Sequence, residues 1–284
     1  MVKISVIGIC GNSIFMDVNH FHEKGETLIA DSVYEEVGGK GINQAIAARR
    51  MGAEVSFLTA VGNDENGERC KKAALENDIN GHFKIKDGKI TPFAVILTDK
   101  SGENRVTEYG TTELDKNDVL SFESEIASSN ILLLQQEVSV EVNETAVQIA
   151  NKHNVKVILN PAPIREISDY IAKSVYMVTP NEQEKKAIDI KRFANCITTL
   201  GKDGCSINDE IVIPALKVKA VNTTGAGDTF NGVLAACIAN DMNFTDAAKC
   251  AVVASGISVS KDYVLSAIPY KREIEVKIRE CEKI

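Results

Sequence analysis

The sequence lacks most of the features that would place it in a specialised class. Its seven cysteines (Cys10, Cys70, Cys196, Cys205, Cys237, Cys250 and Cys281) are scattered, odd in number and include no Cys-x-x-Cys pair. This argues against a disulfide framework or a zinc site, and for a reducing, cytoplasmic compartment. No stretch reaches the ~20 apolar residues that a membrane-spanning helix needs. The N-terminal run Met1–Gly8 is too short for a signal segment and breaks at Gly8. Positive charge is in deficit: 32 Lys and Arg against 40 Asp and Glu leave −8. That excludes broad binding to nucleic-acid phosphates and leaves room only for a local basic site holding a small phosphate ligand. Low-complexity tracts and long repeats are absent. No Walker loop occurs either, because the glycines of Gly38–Gly41 lack the Gly-x-x-x-x-Gly-Lys-Ser/Thr spacing.

What remains is a chain of globular composition, 44% apolar and 25% charged over 284 residues. Short Val/Ile/Leu runs alternate with amphipathic stretches rich in Ala, Glu and Lys. The runs Ile4–Ile7, Val55–Val61, Ile131–Leu134, Val155–Leu159, Tyr176–Thr179 and Ile197–Leu200 predict buried strands. Helices are predicted over Ile42–Met51, Glu68–Asn77, Val140–Asn154, Asp228–Asn240, Thr245–Ser260 and Tyr270–Glu282, with Gly52 as the cap that ends the first. Such alternation implies a mainly parallel sheet covered by helices on both faces, with ligands at the carboxyl ends of its strands. Two pieces break the rhythm. Phe93–Thr98 and Arg105–Tyr109, joined by the turn Asp99–Asn104, read as a β-hairpin, and Thr27–Val37 has period-two character. Together they predict a small β-lid, useful where water must be kept from a reactive phosphoryl group.

Chemistry concentrates in Asn222-Thr-Thr-Gly-Ala-Gly-Asp-Thr-Phe-Asn-Gly232. Gly225, Ala226 and Gly227 are small enough for backbone amides to approach a ligand, and they open a helix whose first N–H groups are unpaired. That turn can hold a transferring phosphoryl group, and Asp228 in the first helical turn can accept the proton of an attacking hydroxyl. Taken alone, the same residues describe a tight turn followed by a capping acid. A second segment, Gly38-Gly-Lys-Gly-Ile-Asn-Gln-Ala, precedes a helix and offers amides and the Asn43 side chain to sugar hydroxyls.

These two segments, about 180 residues apart, resemble in order the N-terminal and C-terminal signatures of the ribokinase family of carbohydrate kinases (phosphofructokinase B type). Between them, Gly25-Glu-Thr-Leu28, Leu134-Gln-Gln-Glu137, Asn160-Pro-Ala-Pro163, Thr179-Pro-Asn-Glu-Gln-Glu184 and Thr199-Leu-Gly-Lys-Asp-Gly204 match in family order. The resemblance implies one ribokinase-like domain over residues 1–284. Its fold would be a three-layer α/β/α sandwich with a mainly parallel sheet, and its lid would come from segments near 10–37 and 88–112. It implies transfer of the γ-phosphoryl group of ATP to a hydroxyl of ribose or a related sugar. Asp228 would be the base, and Gly225, Ala226 and Gly227 the anion hole. Gly39, Lys40, Gly41, Asn43 and Glu137 would bind sugar. Asn181, Thr199, Gly201, Gly204 and Gly227 would bind ATP, with Asn181 and Glu184 contacting Mg²⁺ through water. The resemblance further implies a homodimer joined through the lids, whose sheets carry edges that pair readily.

The sequence departs from the family in four places. The Asn-x-Asp pair expected after the first strand aligns with Gly11 and Ser13, with Asn12 and Asp17 nearby as substitutes. Asn222 stands where the family carries Asp, and Asp262-Tyr263-Val264 stands where it carries Lys-Gly-Ala, so activation by a monovalent cation is left open. The stretch between Glu184 and Thr199 is short. Three other readings remain beside the sugar kinase. A nucleoside kinase shares the fold. A non-catalytic sugar or nucleotide sensor would have no need of Asp228. A nicotinamide oxidoreductase is suggested only by Gly8-Ile-Cys-Gly11, which lacks the Gly-x-Gly-x-x-Gly spacing.

Overall fold

The structure is a computed structural model that describes residues 1–281. The chain opens with strand β1 (Lys3–Ile7), then β2 (Gly11–Asp17) and β3 (Ser32–Gly38), helix α1 (Lys40–Arg50), β4 (Glu54–Gly62), α2 (Glu65–Glu76) and β5 (Asn80–Lys86). A hairpin follows, β6 (Phe93–Thr98) and β7 (Asn104–Tyr109), then short helices α3 (Lys116–Leu120) and α4 (Glu123–Ala127), β8 (Ile131–Gln135), α5 (Val140–Lys152) and β9 (Lys156–Asn160). Next come α6 (Asp169–Ser174), β10 (Met177–Val178), α7 (Glu182–Ala187), β11 (Ile197–Thr199), β12 (Cys205–Ile207) and β13 (Ile211–Ile213). Helices α8 (Ala226–Ala239), α9 (Phe244–Val259) and α10 (Lys271–Cys281) close the described chain. The last predicted helix therefore begins at Lys271 rather than Tyr270, and its expected end at Glu282 lies outside the described residues.

Strands β10-β9-β8-β1-β4-β5 form the central sheet in that order, every pair parallel. Their side chains show why it has helices on both faces. Ile4, Val6, Ile131 and Leu133 point into a core with α1, α2, α8, α9 and α10. Their strand neighbours Ile7, Leu132 and Leu134 point into a second core with α3, α4, α5 and α6. An alternating strand buried on both faces reads as one continuous apolar run, as Ile131–Leu134 does. This is the expected three-layer sandwich. Local chemistry sets the helix starts: Asp64, Ser139 and Asn243 each accept a backbone N–H of the first turn of α2, α5 and α9. The Asp64 cap is why α2 begins three residues before the expected Glu68. At the end of α1, Gly52 has φ +102°, the left-handed conformation expected of a terminating glycine.

The predicted strand Ile197–Leu200 departs from expectation. It ends at Thr199 and heads a three-stranded antiparallel sheet, β11-β12-β13, joined to the region of β10 by parallel bridges at Val178–Cys196 and Asn181–Thr199. The turn Leu200–Gly204 causes the reversal: Gly201 and Gly204 have φ +55° and +100°, and Leu200 N–H donates to the Gly204 carbonyl. The lid is a four-stranded sheet in the order β3-β2-β6-β7, in which β2 runs parallel to β6 and the other two pairs are antiparallel. Its hairpin is the one expected. The stretch Thr27–Val37 contributes only from Ser32 onward, and β2 falls within the lid segment expected near 10–37, although no separate strand is predicted there.

Candidate active site

The sugar-side segment is built by close backbone approach. A Cβ on Gly41 would lie 2.8 Å from the Gly8 backbone, and one on Gly8 would lie 2.2 Å from Gln135 Oε1. Only glycine at both positions lets the start of α1 rest on the end of β1. Gly39, at φ +110°, turns the chain into that helix. The Lys40 backbone N–H donates to Glu137 Oε2 at 3.0 Å, so the segment is pinned to the loop after β8. Gly39, Lys40, Gly41, Asn43 and Glu137, expected together from the sequence, are thus assembled at one end of the central sheet.

Helix α8 lies beside α1, with Asp228 in its first turn meeting Asn43 and Gln44 and Gly232 a turn later meeting Ala47 and Ala48. Gly225 is its N-cap in the left-handed conformation, φ +73°, with Val264 packed where a Cβ would go. Beyond the helix's own backbone no atom lies within 4 Å of a Cβ position at Gly227, so there is open space beside the first turn of α8, where the Ala226 N–H makes only a long bond to the Thr223 carbonyl, 3.4 Å. Asp228 is 8% exposed and caught by two amide donors: Asn43 Nδ2 to Oδ2 and Gln44 Nε2 to Oδ1, each at 3.0 Å. The charged groups around this carboxylate act on one another. Burial disfavours the Lys40 ammonium, but Asp228, Glu137, Glu184 and Glu108 outweigh it and hold Lys40 above its ordinary value. Glu137 is pushed up to about 7, first by burial and then by Asp228, with Lys40 working in the other direction.

On the far side of Gly227 lies a cleft of about 910 Å³. Asn181, Thr199, Gly201, Gly204 and Gly227, all expected at the nucleotide, line it. The aliphatic residues Leu216, Val252 and Val259 form apolar wall, while Lys202, Lys217 and Lys219 supply positive charge suited to phosphates. Asp228 stands between this cleft and the sugar-side segment.

Asn181 and Glu184, expected at Mg²⁺, cap a helix. They form a reciprocal cap on α7: Asn181 Oδ1 accepts from Gln183 and Glu184 N–H, and Glu184 Oε2 accepts from Asn181 N–H at 2.8 Å. Glu184 Oε1 also accepts from Asn181 Nδ2 at 2.9 Å. Each carboxylate oxygen has a further lone pair, so the cap leaves Glu184 able to accept from water. Burial raises its pKa, and the Asp228 charge adds to that. Among the described residues no three metal-ligating side chains cluster. As a hard oxygen donor next to the cleft-lining Asn181, Glu184 could hold Mg²⁺ through water, since that ion keeps most of its own waters.

Sequence reasoning missed a buried polar network behind these residues. Gln135 Nε2 donates to Gln44 Oε1 at 2.7 Å, and Gln44 Nε2 also donates to Asn160 Oδ1 at 3.2 Å. Asn160 Nδ2 donates to the Thr179 carbonyl, Thr179 Oγ1 to Asn231 Oδ1, and Asn231 Nδ2 to the Gly227 carbonyl. Gln135, Asn160 and Thr179 sit inside short matched segments; that position was the available signal. Of the proposed substitutes for the missing pair, Asn12 is buried at the base of the lid and donates to Glu35, with its own Oδ1 unpartnered. Asp17 is exposed at the outer end of β2, paired with Ser32, and does not join the site. Asn222 shapes the turn before α8 by accepting the Thr224 N–H at 2.9 Å.

The chain matches the pfkB family of carbohydrate kinases over residues 1–270. It is 33% identical to the ribokinase of Haemophilus influenzae over 294 aligned positions, covering 95% of this chain and 96% of that one. Identity to the ribokinase of Lactococcus lactis is 32%, with 99% of each covered. The solved ribokinase of Thermotoga maritima superposes with a TM-score of 0.88 at 32% identity, over 98% of this chain and 100% of that structure. The match runs through both glycine segments, Asp228 and the cleft they enclose, and so the chain belongs to the pfkB family of carbohydrate kinases.

Proposed function

We propose that this ATP-dependent sugar kinase of the ribokinase type phosphorylates a hydroxyl of ribose or a closely related pentose, with Asp228 as the general base. The observation that carries the reading is the placement of Asp228, which is buried, held by Asn43 and Gln44, and set between the sugar-side segment and the nucleotide cleft. Lys40, Gly39, Gly41, Asn43 and Glu137 bind and orient the sugar. Asn43 Oδ1 is buried without a partner and is free to accept from a sugar hydroxyl. Asp228 takes the proton as that hydroxyl attacks the γ-phosphorus, and the bond from that phosphorus to the β–γ bridging oxygen breaks, the oxygen leaving on ADP. The amides of Gly225, Ala226 and Gly227 then stabilise charge on the transferring group. Asn181, Thr199, Gly201 and Gly204 hold the nucleotide. Asn181 and Glu184 would hold Mg²⁺ through its waters, and the ion would supply positive charge to the phosphates of ATP.

We read residues 1–284 as one kinase domain whose lid covers the sugar. A cytoplasmic location is supported by six buried free cysteines and a more exposed seventh, Cys281, none in a disulfide among the described residues. No described helix is long and apolar enough to cross a membrane. The net charge disfavours nucleic acid as a partner. A homodimer through the lid is supported by β7, exposed along its whole length, and by exposed Val33, Val106 and Tyr109. ADP release should be measured against ribose, deoxyribose, ketoses and nucleosides. Ribose or deoxyribose should give the highest kcat/KM. A nucleoside ahead of every sugar would move the protein to nucleoside kinases, and no turnover with any acceptor would make it a sensor.

A further inference from the structure

We infer that Gln44 is a positioning residue that fixes Asp228 in its reactive orientation, an inference that rests on Asp228 being the base. Gln44 is fully buried in α1, between the apolar residues Ile42, Ala45 and Ile46. A primary amide in such a place is costly unless it is satisfied, and this one is. Both of its N–H groups are spent, one on Asp228 Oδ1 at 3.0 Å and one on Asn160 Oδ1 at 3.2 Å. Its oxygen accepts from Gln135 Nε2 at 2.7 Å. Turning the amide over would set its oxygen against two acceptors and its nitrogen against a donor, so its orientation is determined from three sides.

Asn43 differs. It makes a single bond to Asp228 and has a free Oδ1, and it belongs to the sugar-side set. Gln44 therefore grips Oδ1 from the protein interior, while Oδ2 shares its edge with Asn43 and the sugar. A carboxylate held this way cannot rotate when the hydroxyl arrives. The same network runs from Asn160 through Thr179 and Asn231 to the Gly227 carbonyl, so base and anion turn are set by one framework.

The test is a double-mutant cycle with Gln44→Met, which keeps volume and removes the donor, and Asp228→Asn. Gln44→Met should lower kcat about 10- to 100-fold, the scale of one charge-assisted hydrogen bond, and leave the sugar KM within about threefold. In the Asp228→Asn background the same substitution should cost almost nothing, because the group it orients is gone. An equal loss in both backgrounds would reduce Gln44 to a structural role and overturn the inference. So would near-normal turnover of Gln44→Met alongside an inactive Asp228→Asn, which leaves the base standing. An active Asp228→Asn would sink the base itself, and this inference with it. If Gln44→Met does not fold, Gln135→Met serves instead. It releases the far end of the Gln44 amide and should lower kcat about three- to tenfold, again only when Asp228 is present.

Discussion

Replacing Asp228 with Asn tests the chemistry most directly, and the structure sets what the substitution does. Asp228 accepts two side-chain N–H groups, one on each oxygen. An asparagine has one oxygen and one NH₂, so it can satisfy Asn43 or Gln44 but not both. One buried donor is then left facing another, at a cost of about 1–3 kcal/mol in stability. For a chain of this size that lowers Tm by roughly 2–4 °C per kcal/mol, so the variant still folds. Catalysis loses far more. A missing general base typically costs about 10²- to 10⁴-fold, which is roughly 3–5 kcal/mol in the barrier. The loss should fall on kcat rather than on KM, since the proton moves only as the hydroxyl attacks. The assay is coupled ADP release at saturating sugar and Mg-ATP, with a melting curve of the same preparation. Turnover within about threefold of wild type in a folded variant would refute the reasoning, because no lost base is that mild.

Gly227→Ala should be a case where stability and activity part. The space beside Gly227 is open, so the alanine is accommodated and Tm holds or rises, yet ATP turnover should fall at least about tenfold as the methyl crowds the anion site. Gly225→Ala should lower both, because its φ is +73° and Val264 fills the Cβ position; thermal melts and ADP release separate the two variants. Glu137→Gln should alter the pH dependence of stability. Glu137 titrates near 7 in the fold, above its ordinary value, so wild type loses stability as pH rises through 7, and the variant should melt higher at pH 8 with the gap closing toward pH 5. Activation by K⁺ over Na⁺ at fixed ionic strength should be weak or absent, given neutral Asn222; a strong rate increase would contradict it.

The sandwich was legible because both-face burial leaves an unbroken apolar run. Ile131–Leu134 reads as a strand whatever its neighbours, and the Gly38–Asn43 and Asn222–Gly232 segments each mark a loop entering a helix. The edges were less legible. β5 is largely polar, Asn80–Lys86, because it lies at the sheet margin, and β12 and β13 have only three residues each. Periodicity has too little to work on there. Within the site, the residues expected at ligands stood out by type, while those that hold them in place did not. Gln44 sits in an apolar helical stretch where a glutamine reads as surface. The pair Asn181 and Glu184 forms a reciprocal helix cap, a role that the sequence pattern Asn-x-x-Glu carries by itself.

The departures from the family pattern are also accommodated physically. The segment Asp262-Tyr263-Val264 is held by the lid. Glu36 on β3 accepts the backbone N–H of Val264 at 2.6 Å and of Leu265 at 3.0 Å, and the Tyr34 and Tyr263 rings stack with centroids 3.6 Å apart. Arg50 at the end of α1 donates to the Leu265 and Ile268 carbonyls, both at 2.7 Å. Burial pushes the Glu36 pKa up and the amides pull it down, as expected of a carboxylate used as an anchor rather than a reactant. Tyr263 adopts φ +68°, a conformation costly for a non-glycine residue, and the stacking and amide bonds are what hold it there. Through Val264 this loop packs directly on Gly225. The lid strand that leads into Gly38–Gly41 and the turn that opens α8 therefore share one support. A substitution at Glu36 should therefore loosen the turn at Gly225 as well as the lid, and a thermal melt of Glu36→Gln should show stability below that of wild type by about 1–3 kcal/mol.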